Sequence, residues 1–235
     1  MKKTPHILII SAHADDHVAC AGTCFKLQEE QNAHLYEIVL TDSSLGQDYK
    51  ERSELSIEIV SKTRSKELSK AAQKLGLKNL YTFHEDDMGL MYSKDLALHV
   101  ASVIRQVRPS ILFIHNNYDA HPDHLAAYRI SVHAVKMAAM GIQKETLGAP
   151  WRTPLILCCE GMLPIKSQIL VNITPYMKKK QELFELYASQ ASPQALSFET
   201  SLAQVRGYHL RLKDQVYAEA FSLQEEFPTL LFEDL

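Results

Sequence analysis

The sequence predicts an α/β protein with a mainly parallel sheet, and two observations indicate this class. Short apolar runs alternate with longer amphipathic segments along most of the chain. Polar clusters follow several of these apolar runs directly, at the strand ends where an open α/β sheet forms its ligand crevice. We therefore expect a Rossmann-like three-layer fold with the strand order 3-2-1-4-5. We expect a single domain over residues 1–235, because no Gly/Ser/Pro-rich linker divides the chain.

The first 150 residues supply most of this sheet. Predicted strands cover residues 6–12, 35–40, 80–83 and 111–114. Predicted helices begin near Gly22, run over residues 54–75 and 96–107, and begin again at or just before His124. In the longest helix the apolar residues recur with a period near 3.6, and Gly76 provides a stop signal.

The pattern changes beyond Trp151. Two further strands are predicted over residues 155–159 and 169–173. Thr174 and Pro175 predict the start of a helix, because threonine is a good N-cap and proline suits the first helical position. The chain from Ser197 to Leu235 is typical of helix and irregular surface. We expect this C-terminal third to pack as an extension on the same sheet.

Charge and composition exclude several classes of protein. The 25 basic residues are scattered among 28 acidic ones, so the chain offers no basic stripe and we expect no nucleic-acid partner. The apolar run at residues 7–10 is too short for a signal peptide or a membrane span, which favours a cytoplasmic protein. The four cysteines form neither a disulfide framework nor a CxxC zinc site, and we expect buried free thiols.

Three polar clusters follow the first, second and fourth predicted strands. Their members are His13, Asp15 and Asp16; Asp42, Ser43 and Ser44; and Asp119, His121, Asp123 and His124. In the expected order the first and fourth strands are neighbours at the topological switch point. The first and third clusters should therefore face each other across the crevice.

Two imidazoles and one carboxylate around an open position are the ligand set of a catalytic zinc. His13, Asp16 and His124 satisfy this description, although another divalent transition metal is possible. The neighbouring carboxylate of Asp15 is placed to act as a general base on a metal-bound water. His121 would stabilise the tetrahedral oxyanion or protonate the departing amine.

Each of these residues also has a simpler interpretation. A single histidine at a strand end is commonly structural, and an Asp-Asp pair commonly caps a helix or lies in a solvated turn. Two His/Asp clusters on neighbouring strands favour a metal site instead. Asp123 is either a helix N-cap or an acceptor that orients an imidazole, and Asp119 either orients His121 or is a turn residue.

The two clusters resemble the motifs of the PIG-L/LmbE family of zinc N-deacetylases. The first family motif is an apolar strand that ends in His-Pro-Asp-Asp, followed by Gly-Gly-Thr; this chain has Ser11-Ala12-His13-Ala14-Asp15-Asp16-His17 and then Ala21-Gly22-Thr23. The second motif is complete as His121-Pro122-Asp123-His124. The resemblance implies the same roles: zinc ligands at His13, Asp16 and His124, a base at Asp15, and oxyanion assistance from His121.

The departures from the family motif are few. Ala14 replaces the proline, Ala21 replaces one glycine, and His17 stands where an acidic residue is common. His17 could be an additional ligand or a pH-sensitive substrate contact, but we favour a partly exposed loop histidine. Arg64 could bind a substrate carboxylate or phosphate, although an arginine on a solvated helix face is the commoner case.

The resemblance implies hydrolysis of an N-acetylglucosamine conjugate, a small-molecule substrate, to acetate and a free amine. One alternative is a zinc amidase that cleaves a non-acetyl amide, such as a thiol-sugar conjugate. A second is a non-catalytic Rossmann-like module that binds a sugar or nucleotide, but the chain contains neither GxGxxG after the first strand nor GxxxxGK[ST]. Asp42 is a further candidate for substrate contact, and an apolar C-terminal segment at residues 230–232 suggests a possible homo-oligomer.

Overall fold

The computed structural model describes residues 4–46, 49–50, 55–214 and 216–229, and within them it confirms the predicted α/β class. The strands are β1 (His6–Ser11), β2 (His34–Thr41), β3 (Leu77–Glu85), β4 (Ile111–Ile114), β5 (Leu155–Cys159), β6 (Ile169–Asn172) and β7 (Ala218–Leu223). They form one sheet in the order β3-β2-β1-β4-β5-β7-β6. The expected 3-2-1-4-5 order is thus confirmed, and β6 and β7 extend the sheet.

Helices cover both faces of this sheet. They are α1 (Ala21–Gln31), α2 (Ile57–Leu75), α3 (Lys94–Val107), α4 (Pro122–Ala139), α5 (Lys144–Leu147), α6 (Met177–Phe184) and α7 (Pro193–Tyr208), with 3-10 turns at Asp16–Cys20 and Thr174–Tyr176. Alternate side chains of β1 point to opposite faces, so Ile7 and Ile9 pack with α1, α2 and α6. Leu8 and Ile10 pack with α3 and α4. The central strand is buried on both faces, as expected of a parallel sheet.

The last strand, β7, corrects the expectation of helix and irregular surface after Ser197. It pairs antiparallel with both β5 and β6. Its sequence, Ala218 to Leu223, contains alanine and glutamate, which have low strand propensity. Pairing on both edges and burial of Phe221, which is 0% exposed, outweigh that propensity.

Glu219 on β7 explains how the extension is tied to the first helix. Its carboxylate accepts hydrogen bonds from the backbone N–H groups of Gly22 at 2.9 Å and Thr23 at 2.7 Å, and from the Thr23 hydroxyl. The Lys180 ammonium lies 3.0 Å away on the same carboxylate. These contacts satisfy N–H groups in the first turn of α1 with a negative charge, which the positive end of a helix favours.

The cysteines, the C-terminal segment and the lengths of the helices bear on three further expectations. All four cysteines are buried and free, as expected. The segment at residues 230–232, on which we based a possible oligomer contact, lies outside the described residues. No helix in the described part of the chain combines the length and apolar content required to cross a bilayer.

Candidate active site

The parallel pairing of β1 and β4 brings the two predicted clusters to the same edge of the sheet. Ile9 pairs with Phe113, and both strands end a few residues later. The loop after β1 carries His13 to Asp16, and the loop after β4 leads to the first turn of α4 with His124. The predicted clusters therefore face each other across one crevice.

Backbone contacts fix the loop that follows β1. The Asp16 carboxylate accepts a hydrogen bond from the His13 N–H at 2.6 Å. The Thr41 hydroxyl, at the end of β2, donates to the Ala12 carbonyl at 2.8 Å, and the Ser43 hydroxyl accepts from the Ala14 N–H at 3.0 Å. Because Thr41 and Ser43 hold this loop from one side, the carboxylates of Asp15 and Asp16 on the loop are in position before a ligand binds.

Asp16 lies between the two histidines that we predicted as metal ligands. Its Oδ2 is 3.6 Å from His13 Nδ1, and its Oδ1 is 3.2 Å from His124 Nε2. Ligand atoms of a tetrahedral zinc, each about 2.0–2.2 Å from the ion, are separated by roughly 3.3–3.6 Å. The Asp16–His13 and Asp16–His124 pairs therefore have the spacing of zinc ligands, each through a different oxygen of Asp16.

Three overlapping groups of side chains at this edge could hold a metal ion. They are His13, His121 and His124; Asp16, His115 and His124; and His13, Asp87 and Asp123, each with ligand atoms within 4.8 Å of one another. His115 Nε2 already accepts a hydrogen bond from the Ala12 N–H at 3.0 Å, which occupies its lone pair. The predicted set of His13, Asp16 and His124 is not itself one of these groups, but its members come from the first two, and both of its imidazoles have a carboxylate behind them.

Each of those two imidazoles has a carboxylate at its other nitrogen. His13 Nε2 is 3.2 Å from Asp123 and 3.1 Å from Asp87. His124 Nδ1 is 3.2 Å from Asp119 Oδ2, without the alignment of a hydrogen bond. Carboxylates behind metal-binding histidines are a recurring feature that fixes the tautomer and increases ligand basicity.

The electrostatics of the cluster favour positive charge. Burial lowers the pKa of His13, but its contacts with Asp123, Asp16 and Asp87 outweigh this and raise the pKa to about 12. Burial likewise lowers the pKa of His124, and Asp16 and Asp119 raise it to about 10. A dication in the cluster would replace these protons and neutralise the same carboxylates, so the donor set fits a metal ion.

His121 is the N-cap of α4, and this role determines its tautomer. Its Nδ1 accepts a hydrogen bond from the Asp123 N–H at 3.2 Å, so the proton of the neutral ring is on Nε2. Burial and the nearby His13 and His124 lower the pKa of His121, which favours that neutral form. The ring is thus a hydrogen-bond donor in the crevice, 4.6 Å from the His13 ring centre.

Asp15, the predicted base, contacts Arg64 of α2. Arg64 Nη2 donates to Asp15 Oδ1 at 2.5 Å. Arg64 is only 3% exposed, so the alternative of a solvated helix face is wrong. Its Nε and Nη1 atoms are buried without a hydrogen-bond partner among the described residues. Nη1 lies 4.0 Å from Glu67 Oε2, which is an ion-pair distance.

The expectation for His17 was also wrong. The residue is 0% exposed, and its Nδ1 lies 2.9 Å from Glu37 of β2. Its Nε2 is 3.3 Å from the Tyr187 hydroxyl, which donates to the Ala14 carbonyl. This histidine thus pairs with a buried carboxylate beneath the loop and does not line the crevice.

The contacts of Asp119, Asp123 and Asp42 can be set against the alternatives given for them above. Asp119 contacts the ring of His124 and only the backbone N–H of His121. Asp123 accepts from the Met88 and Leu90 N–H groups, which together with its contact to His13 fits an orienting acceptor. Asp42 caps a turn by accepting from the Ser44 N–H at 3.1 Å, away from the metal-binding groups.

Sequence reasoning missed two residues in the cluster, His115 and Asp87. His115 follows β4 directly, and its Nε2 is 3.1 Å from Asp16. Asp87 follows β3, and it also accepts from the Leu45 N–H at 2.9 Å. Both come just after a parallel strand, so the rule that selected His13 could have found them.

The crevice has two halves that share Asp15, Asp16, His124 and Met162. A polar half of about 330 Å³ contains Ser43, Arg64, Asp87 and His121. An apolar half of about 390 Å³ extends between the loop after β1 and the helices α6 and α7. Of the three predicted ligands, Asp16 and His124 line both halves, and His13 lines the polar half.

Relatives and solved structures resemble this chain over much of its length. The diacetylchitobiose deacetylase of Thermococcus kodakarensis is 25% identical over 218 residues, which are 91% of this chain and 80% of that protein. A probable N-acetyl-alpha-D-glucosaminyl L-malate deacetylase 2 of Bacillus cereus is 28% identical over 133 residues, which are 55% of this chain and 60% of that protein.

A solved structure shows that the fold is not limited to deacetylases. The 4-carboxy-2-hydroxymuconate hydratase GalB of Pseudomonas putida KT2440 superimposes with a TM-score of 0.85 at 24% identity, over 99% of this chain and 100% of that one. That likeness concerns the fold alone. The model of the PIG-L family, GlcNAc-PI de-N-acetylase, matches residues 8–135, which include both clusters and more than half of the chain, so the protein belongs to the PIG-L family.

Proposed function

We propose that this protein is a metal-dependent N-deacetylase that releases acetate and a free amine from an N-acetylated amino-sugar conjugate. The observation that carries the proposal is the convergence of two carboxylate-backed imidazoles on Asp16, with the carboxylate of Asp15 beside them. The family match and the named substrates of the relatives support an amino sugar as the substrate. The fold alone would not choose this chemistry, because a hydratase shares it.

The metal would be held by His13, Asp16 and His124, and we propose zinc. When bound in such a site, zinc polarises a carbonyl and lowers the pKa of a water molecule to about 7. Asp123 and Asp87 behind His13, and Asp119 behind His124, would hold both rings in the required tautomer.

The chain's own acid–base groups would carry the proton transfers. Asp15 would accept a proton from the attacking water, and its ion pair with Arg64 fixes the orientation of the carboxylate. His121 would donate its Nε2–H to the developing oxyanion or to the departing nitrogen, because its Nδ1 is occupied by the Asp123 N–H. Arg64 Nε and Nη1, together with Asp87, would contact sugar hydroxyls in the polar half.

The direct test is detection of acetate and primary amine from a panel of amides. The panel contains N-acetylglucosamine, diacetylchitobiose, and the malate and inositol conjugates of N-acetylglucosamine. Protein stripped by a chelator is titrated with zinc, cobalt or manganese in separate series. We expect equimolar acetate and amine from at least one substrate, in proportion to bound metal. Absence of both products from every substrate at every metal loading would refute the proposed activity.

A further inference from the structure

The apolar half of the crevice is as large as the polar half, but its chemistry is different. Its wall consists of Val18, Ala19, Phe184, Ala195 and Phe198 around the shared Met162. Phe198 is 43% exposed and Met162 is 54% exposed, although both lie beside a buried polar cluster. Apolar surface of this kind gains free energy when a ligand covers it.

Besides Asp15 and Asp16, which line both halves, this half has two acidic residues, Glu160 and Glu199, and both already have partners. Glu160 Oε2 accepts from Arg206 Nε at 2.9 Å, and Glu199 Oε2 is 3.2 Å from Lys180 Nζ. Neither carboxylate therefore needs a ligand to neutralise it. The hydroxyl groups of a sugar in this half would face an apolar wall. A hydrocarbon chain would instead cover the wall and remove its apolar surface from water.

The geometry of an amide decides which part of the substrate enters this half. In a trans amide, the substituent on nitrogen and the substituent on the carbonyl carbon extend in opposite directions. The sugar on nitrogen suits the polar half, because Ser43, Arg64 and Asp87 there can hydrogen-bond its hydroxyls, and the scissile bond would then lie over the shared residues Asp15, Asp16 and His124. The acyl substituent then points into the apolar half. This step depends on the function proposed above.

The apolar half is much larger than an acetyl group requires. This half is open to solvent and has a volume of about 390 Å³, whereas a single water needs only about 10–15 Å³ on the same measure. We propose that the apolar half is an acyl-chain site, that acetyl is the smallest acyl group the protein removes, and that it hydrolyses N-acyl amino sugars with acyl chains of about four to six carbons faster than their acetyl counterparts. In the reaction the oxygen of water bonds to the acyl carbon, the C–N bond breaks, and the amine leaves with a proton from the water. The products are a short fatty acid and the free amino sugar.

The test compares N-acetyl-, N-butyryl- and N-hexanoylglucosamine as substrates of the metal-loaded protein. Each buried methylene is worth roughly fourfold in binding, so we expect kcat/KM for the hexanoyl substrate to exceed that for the acetyl substrate at least tenfold. Ala195→Leu adds bulk to the wall, and we expect it to lower the hexanoyl-to-acetyl ratio at least tenfold. Ser201→Leu adds the same bulk at an exposed position of α7 and should leave the ratio unchanged.

The octyl glycoside of N-acetylglucosamine separates an acyl site from a site for an apolar aglycone. If Ala195→Leu impairs this substrate and spares the hexanoyl amide, the apolar half binds the aglycone and our inference is wrong. The same conclusion follows if the wild-type protein hydrolyses the acetyl substrate best, or if Ala195→Leu and Ser201→Leu give equal ratios.

A binding measurement keeps this inference separate from the proposed activity. Calorimetry with the Asp15→Asn variant should show tighter binding of N-hexanoylglucosamine than of N-acetylglucosamine, and Ala195→Leu should abolish the difference. If no amide is hydrolysed but this difference is found, the proposed function fails and the acyl site is retained. If acetyl hydrolysis is found without any difference in binding, the proposed function is retained and the acyl site fails.

Discussion

Replacing Gly161 with alanine tests how strictly the carboxylate behind His124 must be placed. Gly161 follows β5, and a Cβ atom built on it would lie 2.3 Å from Asp119 Oδ2 and 3.7 Å from His124 Nδ1. Ordinary contact between such atoms requires about 3.4 Å, so the carboxylate must retreat by roughly 1 Å. The methyl group therefore displaces Asp119 from the imidazole, while its own distance of 3.7 Å from His124 Nδ1 is an ordinary van der Waals contact that leaves the ring in place.

The expected effect follows from the role of such carboxylates. Loss of a carboxylate behind a metal-binding histidine lowers metal affinity about 10- to 100-fold. This corresponds to about 1.4 to 2.8 kcal/mol. We expect Gly161→Ala to weaken zinc binding within this range, as measured by competition with a chromophoric chelator.

The control is Gly141→Ala, because a Cβ at Gly141 meets nothing within 4 Å. Thermal melts monitored by circular dichroism should show whether either variant loses its fold. If folded Gly161→Ala binds zinc as tightly as the wild-type protein and Gly141→Ala do, the position of Asp119 does not set the affinity, and our reasoning about His124 is wrong.

Three further predictions concern the site and the extension. Asp15→Asn should retain stoichiometric zinc but lose at least about 100-fold in kcat, because the general base is removed; full turnover would exclude this role. His124→Ala should lose both zinc and activity, since a ligand is missing, and metal analysis after dialysis measures this directly. Glu219→Gln should destabilise the protein by about 3 kcal/mol in urea unfolding, because Lys180 is left in a buried position with only Glu199 as its partner. Glu182→Gln, which removes an exposed pair with Lys74, should change the stability by less than about 1 kcal/mol, and an equal loss in both variants would contradict the argument.

Much of the fold could be predicted because the sequence patterns that indicate it span only a few neighbouring residues. The apolar runs that became β1, β4 and β5 are short and strongly hydrophobic, and each predicted range agrees with the structure to within one residue. β7 could not be predicted in this way. Its alanine and glutamate residues form a strand only because β5 and β6 pair with it on both sides.

The candidate site likewise has features that could be predicted from the sequence and features that could not. The residues of the two clusters could be selected from sequence, because chemical groups at the ends of parallel strands share one edge of a sheet. Which of these side chains contact one another could not be predicted from the sequence. Asp119 is nearer in sequence to His121, yet its carboxylate faces the ring of His124, because the backbone of α4 turns that ring toward it.

The class of fold, the strand order around the first and fourth strands, and the family can all be inferred from the amino-acid sequence. These follow from periodicity and from motifs whose residues lie close together along the chain. The folded chain was needed to show that His17 and Arg64 are buried, that His115 and Asp87 join the cluster, and that an apolar half opens beside it. Each of these depends on contacts between residues far apart in sequence, such as Arg64 with Asp15 and His17 with Glu37, which no local pattern records.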